Sequence, residues 1–164
     1  MKFIIVAAGF LLTLPVFAQT ADEAALRASL QVQVGQWEGT YTEVDATDGS
    51  IIQRFKSHIE SRLEGNEFFQ VVTHSFADGR EETTDYIARI ENGTLVYPEN
   101  SNLHGEVYKV AGDTTVFDGR YRDDDSTRYL ETIVVSPDRK TRVIKTFENG
   151  AIKMFTLIVE NRVQ

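Results

Sequence analysis

The chain has 164 residues, a formal net charge of −8 at pH 7 and no cysteine. The lack of cysteine excludes a disulfide scaffold and a thiol enzyme, and the negative charge disfavours nucleic acid as a partner, because phosphates are repelled. With 41% hydrophobic and 10% aromatic residues, the chain has enough apolar material to bury a core.

Residues 1–18 have the layout of a secretory signal peptide. Lys2 gives a short positive start, and residues 3–14 are almost wholly apolar. Val16 and Ala18 are small residues at the two positions that a signal peptidase recognises. A membrane-spanning helix would need about 20 apolar residues, and this run is shorter. We therefore expect cleavage after Ala18 and no stable membrane insertion afterwards. Without a cysteine to carry lipid, the mature chain, residues 19–164, is expected to be one periplasmic or secreted domain.

One short helix is predicted at the start of the mature chain. Thr20 and Glu23 match a capping box, in which each side chain satisfies a free backbone N–H. Leu26, Leu30 and later apolar residues then recur every four positions, and Gly35 is a natural stop. The pattern indicates one amphipathic helix with a narrow apolar stripe.

After Gly35 the sequence reads as strands and tight turns. Asx-Gly pairs such as Asn92-Gly93 and Asn149-Gly150 supply the positive φ angles of hairpins. In residues 51–63 the apolar residues alternate with charged ones, with Ile51, Phe55 and Ile59 on one face. A first strand opens at Trp37, and the further predicted strands are 68–76, 83–90, 95–97, 105–110, 115–121, 128–135, 142–147 and 152–159.

The short turns predict an all-β, antiparallel up-and-down meander of eight to ten strands with one short N-terminal helix. A flat meander of that length would leave two unpaired edges, which invite aggregation. Closing the sheet into a β-barrel removes them.

The segment around the only tryptophan carries a family resemblance. Gly35-Gln36-Trp37, placed between a short helix and a meander, resembles the start of the barrel in the calycin group, the lipocalins and their relatives. The resemblance implies that Trp37 plugs the closed end of the barrel and that Arg162 packs over it. Trp37-Glu38-Gly39-Thr40-Tyr41 is also similar to the first strand of small exported bacterial barrels without an assigned function, and phycobiliprotein-lyase-like barrels belong to the same broad set.

Motifs for covalent chemistry are absent from the sequence. There is no Gly-x-Ser-x-Gly elbow, and no His-x-His or His-Glu-x-x-His spacing. We therefore predict no catalytic residue and no metal site, and we name no cofactor. Because some related barrels hold haem through an inward histidine, His74 and His104 keep that alternative open, and the lyase-like resemblance keeps an enzyme open.

The inner faces of the predicted strands mix apolar and polar residues, as a small-molecule pocket requires. Gln70 or His74 would orient the ligand, and apolar contacts would hold it. The predicted pocket residues are Phe55, Ile59, Phe68, Gln70, Val72, His74, Tyr86, Met154 and Thr156. The leading hypothesis is thus an exported binding protein for a small, mostly apolar molecule.

A second hypothesis is an interaction or inhibitor protein of the cell envelope that acts through its loops. Its barrel would be solid, and the acidic run Asp123-Asp124-Asp125 would favour a basic partner protein.

Overall fold

The computed structural model describes residues 23–99, 101, 103–121 and 124–164, and it contains one helix followed by ten strands. The elements are α1 (Glu23–Gln33), β1 (Gly35–Asp45), β2 (Ile51–Glu64), β3 (Glu67–Ser75), β4 (Glu81–Glu91), β5 (Thr94–Val96), β6 (Leu103–Ala111), β7 (Thr114–Tyr121), β8 (Asp124–Val135), β9 (Arg139–Glu148) and β10 (Ala151–Arg162). The predicted signal peptide, together with Thr20 of the capping box, lies outside the described residues. None of the helices within the described ranges is long and apolar enough to cross a bilayer.

All ten strands form one antiparallel sheet, in the order β5-β4-β3-β2-β1-β10-β9-β8-β7-β6. Strands that are neighbours in sequence pair with each other, except β5 and β6, and β1 also pairs with β10. The two outer strands of the sheet, β5 and β6, follow one another in the chain. The sheet therefore curls into a nearly closed barrel with its seam between β5 and β6, which confirms the predicted meander.

The Asx-Gly pairs form hairpin turns as predicted. Asn92 and Asn149 both have φ of 51°, and the glycines that follow them have φ of 75° and 82°. Two successive positive φ angles define the turn whose twist matches that of paired strands, and Asn and Gly tolerate this backbone best.

The helix closes one end of the barrel. Leu26 and Leu30, 0% and 3% exposed, pack against Phe68, Ile90 and Phe117 on the inner wall. Each buried leucine contributes about 1.5–3 kcal/mol through the removal of apolar surface from water. The helix and the barrel thus share one core. The apolar stripe that was predicted on the helix, with its repeat of four positions, contributes Leu26 and Leu30 to that core.

The residue pairing between β1 and β2 fixes which side chains point inward. Trp37 lies opposite Ile59 and Tyr41 opposite Phe55, all directed into the barrel. A bulge then shifts the pairing by one residue, so that Val44 faces Ile51. The prediction that Ile51 shares the inner face with Phe55 is therefore wrong: Ile51 is 55% exposed on the outside.

The base of the barrel is built around Trp37, which is completely buried. Its Nε1 donates a hydrogen bond of 2.9 Å to the carbonyl of Gln33, and the guanidinium carbon of Arg162 lies 4.2 Å from the ring centre. Gly35, with φ of 121°, passes so close to Arg162 that an added Cβ would lie 2.6 Å from Nη1. Helix end, first strand and last strand are therefore joined at one point, in the arrangement that the resemblance implied.

Candidate functional site

A partly enclosed cavity of about 230 Å³ occupies the barrel above α1. The helix supplies Leu26, Leu30 and Gln33 as its floor, and the walls come from strands on every side of the barrel. Tyr97 and Leu103, on either side of the seam between β5 and β6, also line it. A cavity of this size is matched to a small organic molecule rather than to a macromolecule.

One wall of the cavity is aromatic. The rings of Phe117 and Tyr129 stack with centroids 5.9 Å apart, Tyr97 meets Phe117 edge-on at 6.1 Å, and Tyr121 lies 5.5 Å from Tyr129. Room for this wall depends on Gly119, because a Cβ there would overlap the ring of Tyr129. Aromatic side chains in such geometry offer both ring faces and edges to a planar ligand.

Tyrosine is concentrated at the cavity, and five tyrosines line it. They are Tyr41, Tyr86, Tyr97, Tyr121 and Tyr129. Burial raises the pKa of all five hydroxyl groups above the ordinary value of 10.0. The cavity therefore presents neutral phenols, which donate and accept hydrogen bonds, and no phenolate charge at neutral pH.

A buried ion pair provides the strongest polar group of the cavity. Nε of Arg142 donates to Oε1 of Glu131 at 2.6 Å, and the two side chains are 17% and 10% exposed. Burial alone would lower the pKa of Arg142, but Glu131 and then Glu160 raise it above its ordinary value, so the guanidinium stays charged. Among the described residues, Nη1 and Nη2 make no hydrogen bond. These donors are available to a ligand.

A second polar group lies further from the helix. The hydroxyl of Tyr41 donates to Glu43 at 2.8 Å, and the ring of His74 lies 5.3 Å from that of Tyr41. Burial lowers the pKa of His74, with Glu82 opposing it, and the imidazole is therefore neutral at pH 7. A neutral histidine here can donate or accept one hydrogen bond.

The structure brings together five of the nine predicted pocket residues. Phe68, Gln70, Val72, His74 and Tyr86 all line the cavity. Gln70 Nε2 donates to Ser61 Oγ at 3.2 Å, which fixes the orientation of its amide. These residues come from β3 and β4, where the inward alternation is unbroken.

The other four predicted residues do not line the cavity. Phe55 is covered by stacking on Tyr41 at 4.4 Å. Ile59 is completely buried in the base cluster with Trp37. Thr156 is 1% exposed behind Tyr41, and the half-buried Met154 lies beyond it along β10, away from the helix. The prediction that these four residues line the cavity was wrong. Alternation predicts which face of the sheet a side chain lies on, but not its position along the barrel axis.

Arg142, Glu131 and four of the five tyrosines at the cavity were not among the predicted pocket residues. Arg142 and Glu131 alternate with outward residues on β9 and β8, so a period-two reading of those strands would have placed both inside. Leu26 and Leu30 were predicted as a helical stripe but not as the floor of a cavity.

Below the cavity lies a second buried ion pair. Lys140 Nζ and Glu160 Oε2 are 3.1 Å apart, and both side chains are 0% exposed. The ammonium group of Lys140 also lies 4.8 Å from the centre of the Trp37 ring. On the neighbouring strand β8, Lys140 pairs with Val135. Burial lowers the pKa of Lys140 to about 8, against the opposing effect of Glu160.

No group of three or more His, Asp or Glu side chains able to hold a metal ion occurs within the part of the chain that the structure describes. His74 lines the cavity, whereas His104 is exposed. Of the acidic run, Asp123 lies outside the described residues, and Asp124 is exposed with its carboxylate bonded to Ser126.

Fold and site define this molecule as a small antiparallel β-barrel with an internal cavity floored by a helix. A family model, the N-terminal domain of unknown function DUF3598, matches residues 26–164, and the chain belongs to that family. The predicted similarity to small barrels of the phycobiliprotein-lyase-like kind is confirmed at the level of fold. A comparison with curated protein sequences found no match.

The solved structures of similar fold include two with a TM-score above 0.6. A DUF3598 protein of unknown function from Nostoc punctiforme has a TM-score of 0.65 and 15% identity; the alignment covers 82% of this chain and 49% of that protein. This chain therefore spans about half of that relative's length. The S-type phycobiliprotein lyase from Guillardia theta has a TM-score of 0.62 and 14% identity, with 85% of this chain and 93% of the lyase covered.

Proposed function

We propose that this protein is an exported binding protein that holds a small, planar, mostly apolar molecule carrying a hydrogen-bond acceptor. The observation that carries the proposal is Arg142, which lines a cavity whose remaining walls are largely aromatic and aliphatic. Its Nη1 and Nη2 make no hydrogen bond with any described residue. No covalent chemistry is proposed. The fold shared with a phycobiliprotein lyase is compatible with a ligand inside the barrel but does not identify it.

Apolar contact would supply most of the affinity. A ligand that hides roughly 250 Å² of apolar surface gains on the order of 6 kcal/mol at 25 cal/mol per Å². Ordering the complex costs part of that gain. We therefore expect dissociation constants in the upper micromolar to millimolar range for unoptimised aromatic probes.

The electrostatics favour a neutral acceptor over an anion. Arg142 is already neutralised by Glu131. Glu43 adds a carboxylate near the cavity, and its partners, the hydroxyl of Tyr41 and the amide of Gln53, are both neutral. A free anion would meet these carboxylates, whereas a carbonyl oxygen can accept from Nη1 or Nη2 without adding charge.

Filling the cavity tests whether binding occurs there. Gln70 points inward and lines the cavity, whereas the next residue, Val71, points outward opposite Glu60 and Asp85. We expect Gln70→Trp to weaken the binding of 2-acetylnaphthalene at least tenfold, and the matched Val71→Trp to leave it unchanged. Titration calorimetry gives the dissociation constants, and thermal melts confirm that both variants fold. Equal binding by both variants would place the ligand elsewhere and refute the proposal.

The role of Arg142 is tested by two probes of nearly equal shape. 2-Acetylnaphthalene carries a carbonyl where 2-ethylnaphthalene has a methylene group, so their affinity ratio isolates the acceptor. We expect a preference of about tenfold or more for the ketone, since hydrogen bonds to charged groups contribute about 1.5–3 kcal/mol net. The double variant Arg142→Met/Glu131→Gln, which removes both charges together, should abolish the preference but retain the binding of 2-ethylnaphthalene. An unchanged preference in that variant would contradict the assignment.

A further inference from the structure

The ion pair at the cavity offers a ligand an acceptor as well as donors. Nε of Arg142 binds one carboxylate oxygen of Glu131, Oε1. The second oxygen, Oε2, makes no hydrogen bond with any described residue, and the same holds for Nη1 and Nη2 of Arg142. Two donor nitrogens and, on the neighbouring side chain, one acceptor oxygen are therefore free to bind a ligand.

These free atoms are accessible from the cavity. Among the described residues, the fully buried side-chain atoms that lack a hydrogen bond are Lys140 Nζ and Glu160 Oε2, at the base of the barrel. The free atoms of Arg142 and Glu131 are not sealed in this way, and both residues line the cavity. A ligand that pairs with all of them is favoured, because an unpaired polar atom in a confined site costs free energy.

The aromatic wall of the cavity lies directly beside the pair. Phe117 on β7 is the strand partner of Glu131 on β8, and Tyr129 precedes Glu131 by two residues, so the three side chains share the inner face. Directly opposed residues of antiparallel strands have Cβ atoms about 4.5–5.5 Å apart. A planar ring that stacks on Phe117 or Tyr129 can thus place one edge beside the carboxylate of Glu131 and the guanidinium of Arg142.

A ligand edge that satisfies both residues needs an acceptor and a donor side by side. A carboxylic acid has both, but it ionises at neutral pH and would set a carboxylate against Glu131. An open-chain secondary amide is trans, so its N–H and C=O point in opposite directions. A ring that contains the amide holds it cis, and both groups then lie on one edge. A cyclic amide is also neutral, which suits a pair whose own charges already cancel.

We propose that the ligand is a planar cyclic amide, that is, an aromatic ring system with an N–H group next to a ring carbonyl. Its carbonyl accepts from Nη1 or Nη2 of Arg142, and its N–H donates to Oε2 of Glu131. The rings lie against Phe117 and Tyr129. This ligand class rests on the proposed function and adds Glu131 to it as the residue that selects the donor group of the ligand.

Three probes with one ring skeleton test the ligand class. The cyclic amide is 2-quinolone. Coumarin has a ring oxygen in place of the N–H group, and in 1-methyl-2-quinolone a methyl group replaces the hydrogen. Protein-detected NMR titrations give the three dissociation constants. We expect 2-quinolone to bind about tenfold or more tightly than either analogue, because each analogue leaves Oε2 of Glu131 without a donor.

Two double variants identify the residues responsible. Arg142→Met/Glu131→Leu replaces the ion pair by apolar side chains, which proteins often tolerate, and the three probes should bind it with similar affinity. Thr132→Leu/Val143→Met is the matched control, because Thr132 and Val143 follow Glu131 and Arg142 in their strands, pair with each other and point outward. The control should keep the wild-type preference. Thermal melts confirm that both variants fold.

Equal affinities of the three probes for wild type would overturn the ligand class, as would a preference that survives in Arg142→Met/Glu131→Leu. The proposed function would stand in either case if Gln70→Trp weakens the binding of 2-acetylnaphthalene. Binding of 2-acetylnaphthalene but of none of the three probes would likewise overturn the cyclic amide alone. If neither that ketone nor any of the three probes binds, the proposed function and the ligand class fail together.

Discussion

Two ion pairs are buried among the described residues, and they differ in what surrounds them. Arg142 and Glu131 border the cavity, so the terminal nitrogens of Arg142 have space for a ligand. Lys140 and Glu160 lie at the base with no exposure at all, beside Trp37. Removing one charge of a buried pair leaves the other without compensation, whereas removing both is often neutral or stabilising.

The base pair gives a prediction for stability. Lys140→Met should lower the free energy of unfolding by about 3–5 kcal/mol, because Glu160 would stay charged and buried. Lys140→Met/Glu160→Gln should recover most of that loss. Urea unfolding of the two variants and of wild type measures the difference. A double variant as unstable as the single one would show that the pair stabilises the base beyond charge compensation.

The pH dependence of stability follows from Lys140 and from the buried tyrosines. The pKa of Lys140 is lowered from 10.5 to about 8. Between these values the unfolded chain binds a proton that the folded chain has released, so stability should rise with pH from 8 towards 10. The raised tyrosine pKa values act in the opposite sense, and stability should fall above pH 10.

The double variant Lys140→Met/Glu160→Gln is the control for this profile. Urea unfolding at half-unit steps of pH should show that the rise between pH 8 and 10 disappears in it, while the fall above pH 10 remains. A rise that persists in the double variant would assign the effect to another group.

At the scale of elements, Arg162 joins the helix, the first strand and the turn before β9. Its guanidinium donates to the carbonyls of Val32, Val34 and Pro137 at 2.6–2.8 Å, and it covers the ring of Trp37. The carbonyls at a helix end have no partner within the helix, and a cation is favoured there. Arg162 thus holds the last turn of the helix that floors the cavity.

We therefore expect Arg162→Ala to destabilise the protein by about 2–4 kcal/mol, since three carbonyls lose a charged donor. Arg139→Ala should change stability by less than about 0.5 kcal/mol, because the Arg139 side chain is exposed. Thermal unfolding compares the two variants. Hydrogen exchange should also be faster in the helix of Arg162→Ala, and unchanged helix protection would contradict the proposed role of Arg162.

For the whole molecule, alternation and turn chemistry were enough to predict the meander and the inward direction of Phe68, Gln70 and His74. They could not reveal the bulge that turns Ile51 outward, because it depends on the pairing of two strands. Nor could they place Arg142 against a cavity, since burial of a charge depends on a partner, Glu131, eleven residues away. The level of each residue along the barrel axis comes from strand tilt and from the helix, which local patterns do not encode.

The most direct test of the central claim is native mass spectrometry of the protein purified from the envelope of its own host. We predict a chain that begins at Gln19 and carries a small aromatic molecule, which dissociates on denaturation and is absent from Gln70→Trp but present on Val71→Trp. A protein without ligand, together with no binding of naphthyl ketones or other hydrophobic probes, would contradict a ligand-binding barrel. An interaction protein that acts through its outer surface and loops would then be the better hypothesis.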